Sequence, residues 1–267
     1  MPDDEILIDK ADGIATITLN RPHRLNALSS HMLQVMLPQI WADLAKDKKV
    51  RVVIFTGAGD RAFCSGMDVK EAATSSTWGK APVQPSGNSG GGSKLTPRQH
   101  AFPKPVISAV NGICSGGGLM FVSDSDISIA SENATFFNPG VMIGQLATFA
   151  PITWTRWIPF QSLMRMTLVG GKERISAREA KELGMVTEVV APGQLLPRSK
   201  QVAAMIAEAS PTAVRLVKKT LWEAMDRGLA DAHANGMKIM GEYRGHPDQS
   251  EGPKSFAEKR KPNWAED

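Results

Sequence analysis

The chain has 267 residues, of which 42% are hydrophobic and 22% charged, and its formal net charge is +4. A chain of this length and composition can bury a full core in one large domain, with or without a small appendage, and is neither a fibre nor wholly disordered. Lys and Arg are scattered along the sequence, and the absence of a basic stripe argues against a nucleic-acid partner. A mildly basic chain suits a polyanionic small ligand instead.

The two cysteines and the N-terminus limit the compartment in which the protein works. Cys64 and Cys114 are too few for a disulfide framework and lack metal-ligand spacing, so we expect both to be reduced, small and buried, with no metal site. The first residues show no basic region followed by an apolar run, and no stretch approaches the roughly 18 apolar residues of a membrane span. We therefore expect a cytoplasmic protein without a membrane span.

The first part of the chain predicts strands around one helix. Residues 5–9 and 13–19 read as two antiparallel strands joined by a hairpin turn at residues 11–13. Apolar residues then recur at helical spacing from Met32 to Leu44; Ser29 or Ser30 can cap this helix, and Pro38 should strain or kink it. The β-branched run at residues 50–55 predicts the next strand.

The remaining elements continue the pattern and then become helical. Residues 106–110, 126–130 and 134–137 predict strands, and the pattern is helical from about Phe149. After Val190 three helices are predicted, at residues 195–209, 212–226 and 229–243, followed by a polar segment at 248–264 with isolated Phe256 and Trp264. The predicted fold is α/β, a repeated strand-strand-helix core followed by a helical C-terminal region.

The stretch at residues 73–93 is rich in Gly, Ser and Pro and has almost no apolar periodicity. Long segments of this kind inside a compact domain are often lids or binding loops, and this one should be mobile without ligand. A plain surface insertion is an equally good interpretation.

The glycine triplet Gly116–Gly118 is the strongest functional signal. It lies between a buried strand at 105–110 and an apolar helical turn at 119–122, where glycine is a poor choice for strand or helix. The free N–H groups of a first helical turn form an anion or oxyanion site, although a tight turn between two close backbones explains the same glycines. A second strand, at 50–55, also runs through a glycine-containing turn toward a predicted helix after Asp68. Each junction can therefore supply one backbone N–H to the same carbonyl oxygen.

Six ordered motifs cover nearly the whole chain. They are Asn20-Arg21-Pro22 with Leu25 to Leu28, Val52 to Gly57, Ala62 to Asp68, Lys104 to Gly112 with Gly116 to Gly118, Ala177 to Val186, and Glu251 to Arg260. In this order they resemble the crotonase superfamily, the enoyl-CoA hydratase/isomerase family. The resemblance implies a crotonase-like spiral of β-β-α units that binds an acyl-CoA at residues 1–195. It also implies a helical trimerisation region at 196–267, in a homotrimer or hexamer.

The resemblance also assigns site residues. The backbone N–H groups of Met67 and Gly117 would form the oxyanion hole for the thioester oxygen of an acyl-CoA, while coenzyme A enters as part of the substrate and no separate cofactor is implied. The residues expected to bind substrate or CoA are Ala27, Leu28, Asp68, Val69, Lys70, Gly116, Met120, Gly140, Phe256 and Lys259. Phe256 and Lys259 would reach a CoA in a neighbouring subunit, but an exposed charge is an equal interpretation of Lys259.

The chain departs from the family's hydratases at the acid and base. The two glutamates that hold the attacking water would fall at Met120 and Gly140, and the carboxylate of several isomerases would fall at Thr148. None of these three residues is an acid, and none transfers a proton readily. We therefore expect an enoyl-CoA hydratase-like lyase or isomerase with poor hydratase activity.

Three hypotheses remain open at this point. In the first, the protein is an enzyme whose proton-transfer group comes from elsewhere, with Asp124, Asp68, Glu71 and His100 as candidates. Asp124 and Asp126 are equally well explained as a helix end and a strand start, and His100 as a loop residue. In the second, the protein binds acyl-CoA without catalysis, in a pocket lined only by residues such as Met120, Phe137, Val141 and Leu146. In the third, it is an inactive scaffold subunit.

Overall fold

The computed structural model of the protein describes residues 4–74 and 94–265. Its strands are β1 (Ile6–Ala11), β2 (Ile14–Leu19), β3 (Val52–Gly57), β4 (Ala62–Cys64), β5 (Val106–Val110), β6 (Ile113–Ser115), β7 (Ile127–Ser131), β8 (Thr135–Phe137), β9 (Ile175–Ser176) and β10 (Glu188–Val190). Its helices are α1 (Leu37–Lys46), α2 (Val69–Thr74), α3 (Gly117–Ser123), α4 (Phe149–Trp154), α5 (Phe160–Val169), α6 (Ala177–Glu182), α7 (Leu195–Ala207), α8 (Pro211–Ala224), α9 (Leu229–Tyr243) and α10 (Asp248–Ala257).

The predicted spiral of β-β-α units is confirmed, and it builds two sheets. The larger sheet has the order β1-β2-β3-β5-β7-β10, and the smaller one has the order β4-β6-β8-β9. Each turn of the spiral gives one strand to each sheet: β3 and β4 before α2, then β5 and β6 before α3. The strands of successive turns are parallel, β3 with β5 and β4 with β6, so equivalent loops of successive turns are neighbours.

The opening hairpin and the first helix follow the sequence prediction. Asp12 and Gly13 both have positive φ in the turn between β1 and β2, as a two-residue hairpin turn requires. The hydroxyl of Ser29 accepts a hydrogen bond from Met32 N–H, so Ser29 is the cap. The helix then makes a π-helical turn at Met32–Met36 and becomes α-helical with Pro38 in its first turn. Because proline has no N–H for the preceding turn, the irregular hydrogen bonding falls just before it.

The sequence prediction missed the second sheet at both glycine-rich junctions. The strand directly before the glycine triplet is β6, which is three residues long. The strand predicted at 105–110 is β5, which ends at Val110, before β6 begins. Likewise β4 lies between the first glycine-containing turn and α2. Strands of three residues are too short to show a periodicity. The polar segment after residue 248 forms α10, which was not predicted.

Two apolar layers hold the larger sheet. On one face, Leu195 and Ala203 of α7 pack on side chains from β3, β5 and β7. The predicted boundary at 195/196 thus falls at the start of a helix that covers the sheet. On the other face, Phe55 of β3 stacks on Phe121 of α3, with ring centroids 4.2 Å apart. Cys64 and Cys114 are neighbours on β4 and β6, buried and unpaired, and burial raises the pKa of the Cys64 thiol to about 12.

A half-buried carboxylate, that of Asp126, fixes α8 to the core. Asp126, just before β7, accepts hydrogen bonds from Val106 N–H and from the indole N–H of Trp222, each 2.7 Å long. The Lys218 ammonium group lies 2.9 Å from the same carboxylate. The three partners of the Asp126 carboxylate lie on β5 and α8, so Asp126 holds α8 against the larger sheet.

We expect Gly118→Ala to destabilise the fold, because the new methyl group would overlap the carbonyl oxygen of Cys64 and force α3 away from β4. A misfit of this kind costs about 3 kcal/mol in the free energy of unfolding, measured by chemical denaturation. The matched control is Gly241→Ala in α9, where the added methyl group meets nothing within 4 Å. That variant should gain about 0.5–1 kcal/mol. Equal unfolding midpoints for the two variants would show that α3 and β4 are not in tight contact.

Candidate functional site

The two glycine-rich junctions come together in the structure. A methyl group on Gly66 would lie 3.2 Å from the amide nitrogen of Gly117 and 3.4 Å from the Cα of Gly116. Gly66 and Gly116 both have positive φ, +96° and +53°, which side chains rarely allow. The main chains before Met67 and before α3 therefore touch directly, and glycine is needed on both sides of the contact.

Pairing with Leu28 sets the direction of the Met67 amide. Leu28 N–H donates to Gly66 O at 2.8 Å, and Asp68 N–H donates to Leu28 O at 2.9 Å. These two bonds form a parallel bridge between Leu28 and Met67. Because residues 66 and 68 use their groups on the Leu28 side, the N–H of Met67 points to the opposite side of the strand.

The Gly117 amide lies at the start of α3. Gly116 is the N-cap of this helix and has no side chain to cap it. The N–H of the first helical residue has no carbonyl partner within its own helix. A methyl group on Gly117 would make a tight contact with the Cδ1 of Leu28, at 3.3 Å. Leu28, Gly66 and Gly117 thus meet at one point, with the Met67 amide beside them.

Arg21 and Asp68 frame this point. The guanidinium of Arg21 donates to Ala27 O at 2.7 Å and to the Asp68 carboxylate at 3.1 Å, and its Nε lies 3.0 Å from Glu5. Asp68 also accepts from Glu71 N–H and so caps α2. Burial alone would raise the pKa of Asp68, but hydrogen bonds from Glu71 N–H and Arg21 outweigh it and hold the pKa below its ordinary value.

The positions of the missing acids are occupied differently. Met120 is half-buried on α3 and packs against the core. Gly140 is buried under its own loop: a methyl group there would lie 2.7 Å from the Cβ of Ala147 and 2.8 Å from Gln145 O. Asn138 ties this loop down by donating to Ala147 O at 2.8 Å. Hence Gly140 leaves no room for a glutamate, whereas Met120 could be replaced by one.

Asp124 is the most buried of the candidate acids. It follows α3, one helical turn after Met120, and is 7% exposed. Its carboxylate accepts hydrogen bonds from the hydroxyls of Thr96, Ser123 and Thr153. Burial raises the pKa of Asp124, and these hydroxyl groups oppose the shift only in part. It lies about 10 Å along α3 from Gly117, given seven residues at the helical rise.

The other candidate acids and bases have structural partners. The Glu71 carboxylate accepts from Ser30 N–H at 3.2 Å, and His100 Nε2 lies 3.0 Å from Lys94 O. Burial lowers the pKa of His100. Thr148 is exposed and precedes α4. The predicted mobile segment at 73–93 lies outside the described residues from position 75 onward, so its relation to these groups stays a prediction.

Of the remaining predicted site residues, some adjoin the Leu28–Met67 bridge in the chain and others lie elsewhere in the fold. Ala27 is buried beside Leu28, and Val69 and Lys70 are exposed at the start of α2, next to Met67. Phe256 and Lys259 lie at the C-terminal end of α10, where Phe256 is 86% exposed. Of the suggested acyl-pocket residues, Val141 and Leu146 are exposed, and Phe137 is half-buried under the Arg174 guanidinium.

Two residues of the site were quoted in the sequence motifs without a role. These are Arg21, described above, and Asn26, whose amide donates to Ala62 O at 2.6 Å while its carbonyl oxygen accepts from Arg21 N–H at 3.0 Å. Asn26 has a φ of +52°. Asparagine tolerates this conformation, and that tolerance was the one local signal available.

The described residues contain neither a metal-binding cluster nor a membrane-spanning helix. Within residues 4–74 and 94–265, no group of three or more His, Cys, Asp or Glu side chains is placed to hold a metal ion. In the same described part of the chain, no helix has both the length and the apolar character to cross a membrane.

Comparison with known proteins agrees with this fold. The sequence profile of the family described as enoyl-CoA hydratase/isomerase matches residues 9–267. The short-chain-enoyl-CoA hydratase of Clostridium acetobutylicum is 33% identical over 96% of this chain and 95% of its own. The (E)-benzylidenesuccinyl-CoA hydratase of Thauera aromatica is also 33% identical, over 96% and 97%.

Solved structures show the same fold. An enoyl-CoA hydratase/isomerase from Mycobacterium paratuberculosis superposes with a TM-score of 0.85, at 38% identity and 98% coverage of both chains. The protein therefore has the crotonase fold. The chain belongs to the enoyl-CoA hydratase/isomerase family, as the resemblance of its motifs implied.

Asp124 and Asp68 should change the stability of the protein with pH in opposite directions. The pKa of Asp124 is raised by folding, so its contribution to stability is present at low pH and is lost as pH rises through the folded pKa. The pKa of Asp68 is lowered, so its contribution is present above the ordinary value and is lost as pH falls through the folded pKa. Each unit of difference is worth about 1.4 kcal/mol.

Unfolding of the wild type, Asp124→Asn and Asp68→Asn should be measured from about pH 3 to about pH 8. Relative to the wild type, Asp124→Asn gains stability as pH rises, whereas Asp68→Asn loses it. The same trend in both variants would contradict the environments described for the two carboxylates.

Proposed function

We propose that the protein binds an acyl-CoA thioester and stabilises the enolate form of its acyl group with two backbone amides, those of Met67 and Gly117. The observation that carries this proposal is the direct contact between Gly66 and Gly117, with the Met67 N–H turned away from Leu28. A preorganised N–H of this kind typically lowers a barrier by about 3 kcal/mol, because it needs no reorganisation as negative charge develops.

The residues around this point suggest how the ligand would lie. Ala27 and Leu28 on one side of the Leu28–Met67 bridge, and Val69 and Lys70 just after Met67, would line the CoA path. Asp68 would contribute main chain only, since its carboxylate serves Arg21 and α2. Gly116, Met120 and Gly140 would border the acyl group. A mildly basic chain and the exposed ammonium group of Lys70 suit the phosphates of CoA.

A second copy of the chain completes the proposed site. The Phe256 side chain is 86% exposed and so buries little apolar surface against its own subunit. We propose that Phe256 and Lys259 contact the CoA of a neighbouring subunit in a homotrimer or hexamer. Large apolar side chains exposed on α8 and α9 support such self-association; they are Val217, Leu221, Leu229, Met237 and Met240. Residues 196–267 would form the trimerisation region, and the cytoplasmic location stays a prediction.

Several relatives are named as hydratases, but this chain has Met120 and Gly140 where the resemblance places the two glutamates of a hydratase. The closed loop over Gly140 favours two alternatives: a lyase or isomerase reaction with a different proton donor, Asp124 being the buried candidate, or a non-catalytic acyl-CoA-binding member. An inactive scaffold subunit would bind no acyl-CoA at all. No separate cofactor is part of the proposal.

Binding of matched ligands tests the oxyanion hole. Butyryl-CoA and benzoyl-CoA should bind more tightly than S-butyl-CoA and S-benzyl-CoA, which lack only the carbonyl oxygen. Two hydrogen bonds are worth about 1–3 kcal/mol, or roughly 5- to 150-fold in affinity. Isothermal titration calorimetry measures the ratio. Binding of both ligand types with equal affinity would rule out the amide pair, and binding of neither would favour the scaffold alternative.

Crotonyl-CoA should be hydrated very slowly by the wild-type protein, because an acid and a base each contribute about 10²- to 10⁴-fold. Met120→Glu restores one carboxylate at a half-buried position and should raise the hydration rate by about 100-fold. The rate is measured from the loss of the enoyl thioester absorbance.

Met120→Gln is the matched control, since it has the same size as the glutamate but cannot take up a proton. The hydratase of Clostridium acetobutylicum provides the reference rate. A wild-type rate within tenfold of that reference would mean that another group on this chain supplies the acid and the base.

A further inference from the structure

The Arg21 side chain joins three separate segments around the Leu28–Met67 bridge. It donates to Ala27 O at 2.7 Å and to the Asp68 carboxylate at 3.1 Å, and its Nε lies 3.0 Å from Glu5. Glu5 in turn accepts from the Ser29 hydroxyl at 2.7 Å. All these partners belong to the protein, and the Arg21 side chain is only 13% exposed. Arg21 is thus placed to hold main chain rather than ligand.

The backbone that Arg21 holds is strained. Leu25 and Asn26 are consecutive non-glycine residues with φ of +52°, a conformation that costs free energy and persists only where surrounding contacts enforce it. The contacts here are Asn26 with Ala62 O and Arg21 N–H, and the guanidinium with the carbonyl of the next residue, Ala27. Without the guanidinium, this turn can relax toward an ordinary conformation, and Leu28 would move with it.

Arg21 acts on both strands of the bridge. Ala27 precedes Leu28 on one strand, and Asp68 follows Met67 on the other. A planar guanidinium can hold both sides at a fixed separation through its rigid fork of donors, which a lysine ammonium group cannot reproduce. The bridge between these two points sets the direction of the Met67 N–H, as described above.

We infer that Arg21 is a positioning residue that fixes the Met67 amide for hydrogen bonding to the thioester oxygen, by clamping Ala27 O and Asp68 on either side of the Leu28–Met67 bridge. The inference rests on the proposed function of the Met67 and Gly117 amides. It assigns to Arg21 an effect on the polarisation of the ligand carbonyl, beyond an effect on folding.

The test compares the wild type with Arg21→Lys, which retains the charge and loses the fork. The carbonyl stretch of isotope-labelled butyryl-CoA and benzoyl-CoA, measured by infrared difference spectroscopy, should move to lower frequency on binding to the wild type and by less than half as much in the variant. Affinity for these thioesters should fall roughly fivefold, the loss expected from weakening one hydrogen bond, that of the Met67 amide. Affinity for S-butyl-CoA and S-benzyl-CoA should stay within twofold.

Two further variants complete the design. Glu5→Gln keeps the shape of the side chain but removes the charge that pairs with the Arg21 guanidinium. It should reduce the carbonyl shift by less than Arg21→Lys does. Arg165→Lys is the matched control, because the Arg165 guanidinium on α5 forms a fork with Glu173: its Nε and Nη2 donate to the two carboxylate oxygens at 2.7 and 2.8 Å. This variant should leave the carbonyl shift unchanged.

The outcomes separate the inference from the proposed function. A wild-type carbonyl that does not shift, with thioester and thioether bound equally, contradicts the proposed function itself. A normal wild-type shift that Arg21→Lys retains in full overturns the inference. An equal loss of thioester and thioether affinity in Arg21→Lys also overturns it, since Arg21 would then only maintain the pocket or the fold.

Discussion

The site depends on the direct contact of two main chains at Gly66 and Gly117. A side chain on Gly66 would press against the Gly117 amide nitrogen, and Gly66 and Gly116 both have positive φ. The spiral creates this contact, because parallel pairing of β4 with β6 places the loops after these strands side by side. Side chains cannot perform this task, since only bare backbone can approach so closely and still present N–H groups outward.

The polar residues around this contact divide into those that hold the backbone and those placed for chemistry. Arg21, Asn26 and Asp68 use their polar atoms to hold main chain, Glu5 or one another, and Asp126 ties α8 to the core. Asp124 differs from them because its hydrogen-bond partners are three hydroxyl groups, while the Arg98 guanidinium acts on it only through its charge. A carboxylate in such a setting is costly when charged, and this makes it the candidate of most chemical interest.

The loop over Gly140 distinguishes this chain from a hydratase with two glutamates. Ala147 and Gln145 O occupy the space that a side chain at position 140 would need, and Asn138 fastens the loop. The loop therefore fills the position at which the resemblance places one acid, whereas Met120 on α3 is half-buried. The family and the fold are shared with hydratases.

The sequence by itself determined the alternation of strands and helices in the core, the hairpin at Asp12–Gly13, a helix cap at Ser29 or Ser30, and the helices α7 to α9. These features follow from local periodicity, turn chemistry and capping, which adjacent residues encode. It also singled out the glycine triplet and the second glycine-containing junction, because glycine is unfavourable in a helix or strand unless bare backbone is needed there. The individual amides of Met67 and Gly117 were assigned only by the resemblance to the family.

Only the tertiary structure decided the pairing of the second sheet, the contacts of Arg21 and Asn26, and the partners of the candidate acids. The strands β4 and β6 are too short to carry a pattern, and they form because the larger sheet brings them together. Asp68, Asp124 and Asp126 look alike in sequence, yet one meets a guanidinium, one three hydroxyls and one an ammonium and an indole. Apart from Glu71 and Ser123, their partners named above lie 20 or more residues away in the chain, and contacts over such separations are fixed by folding rather than by local sequence.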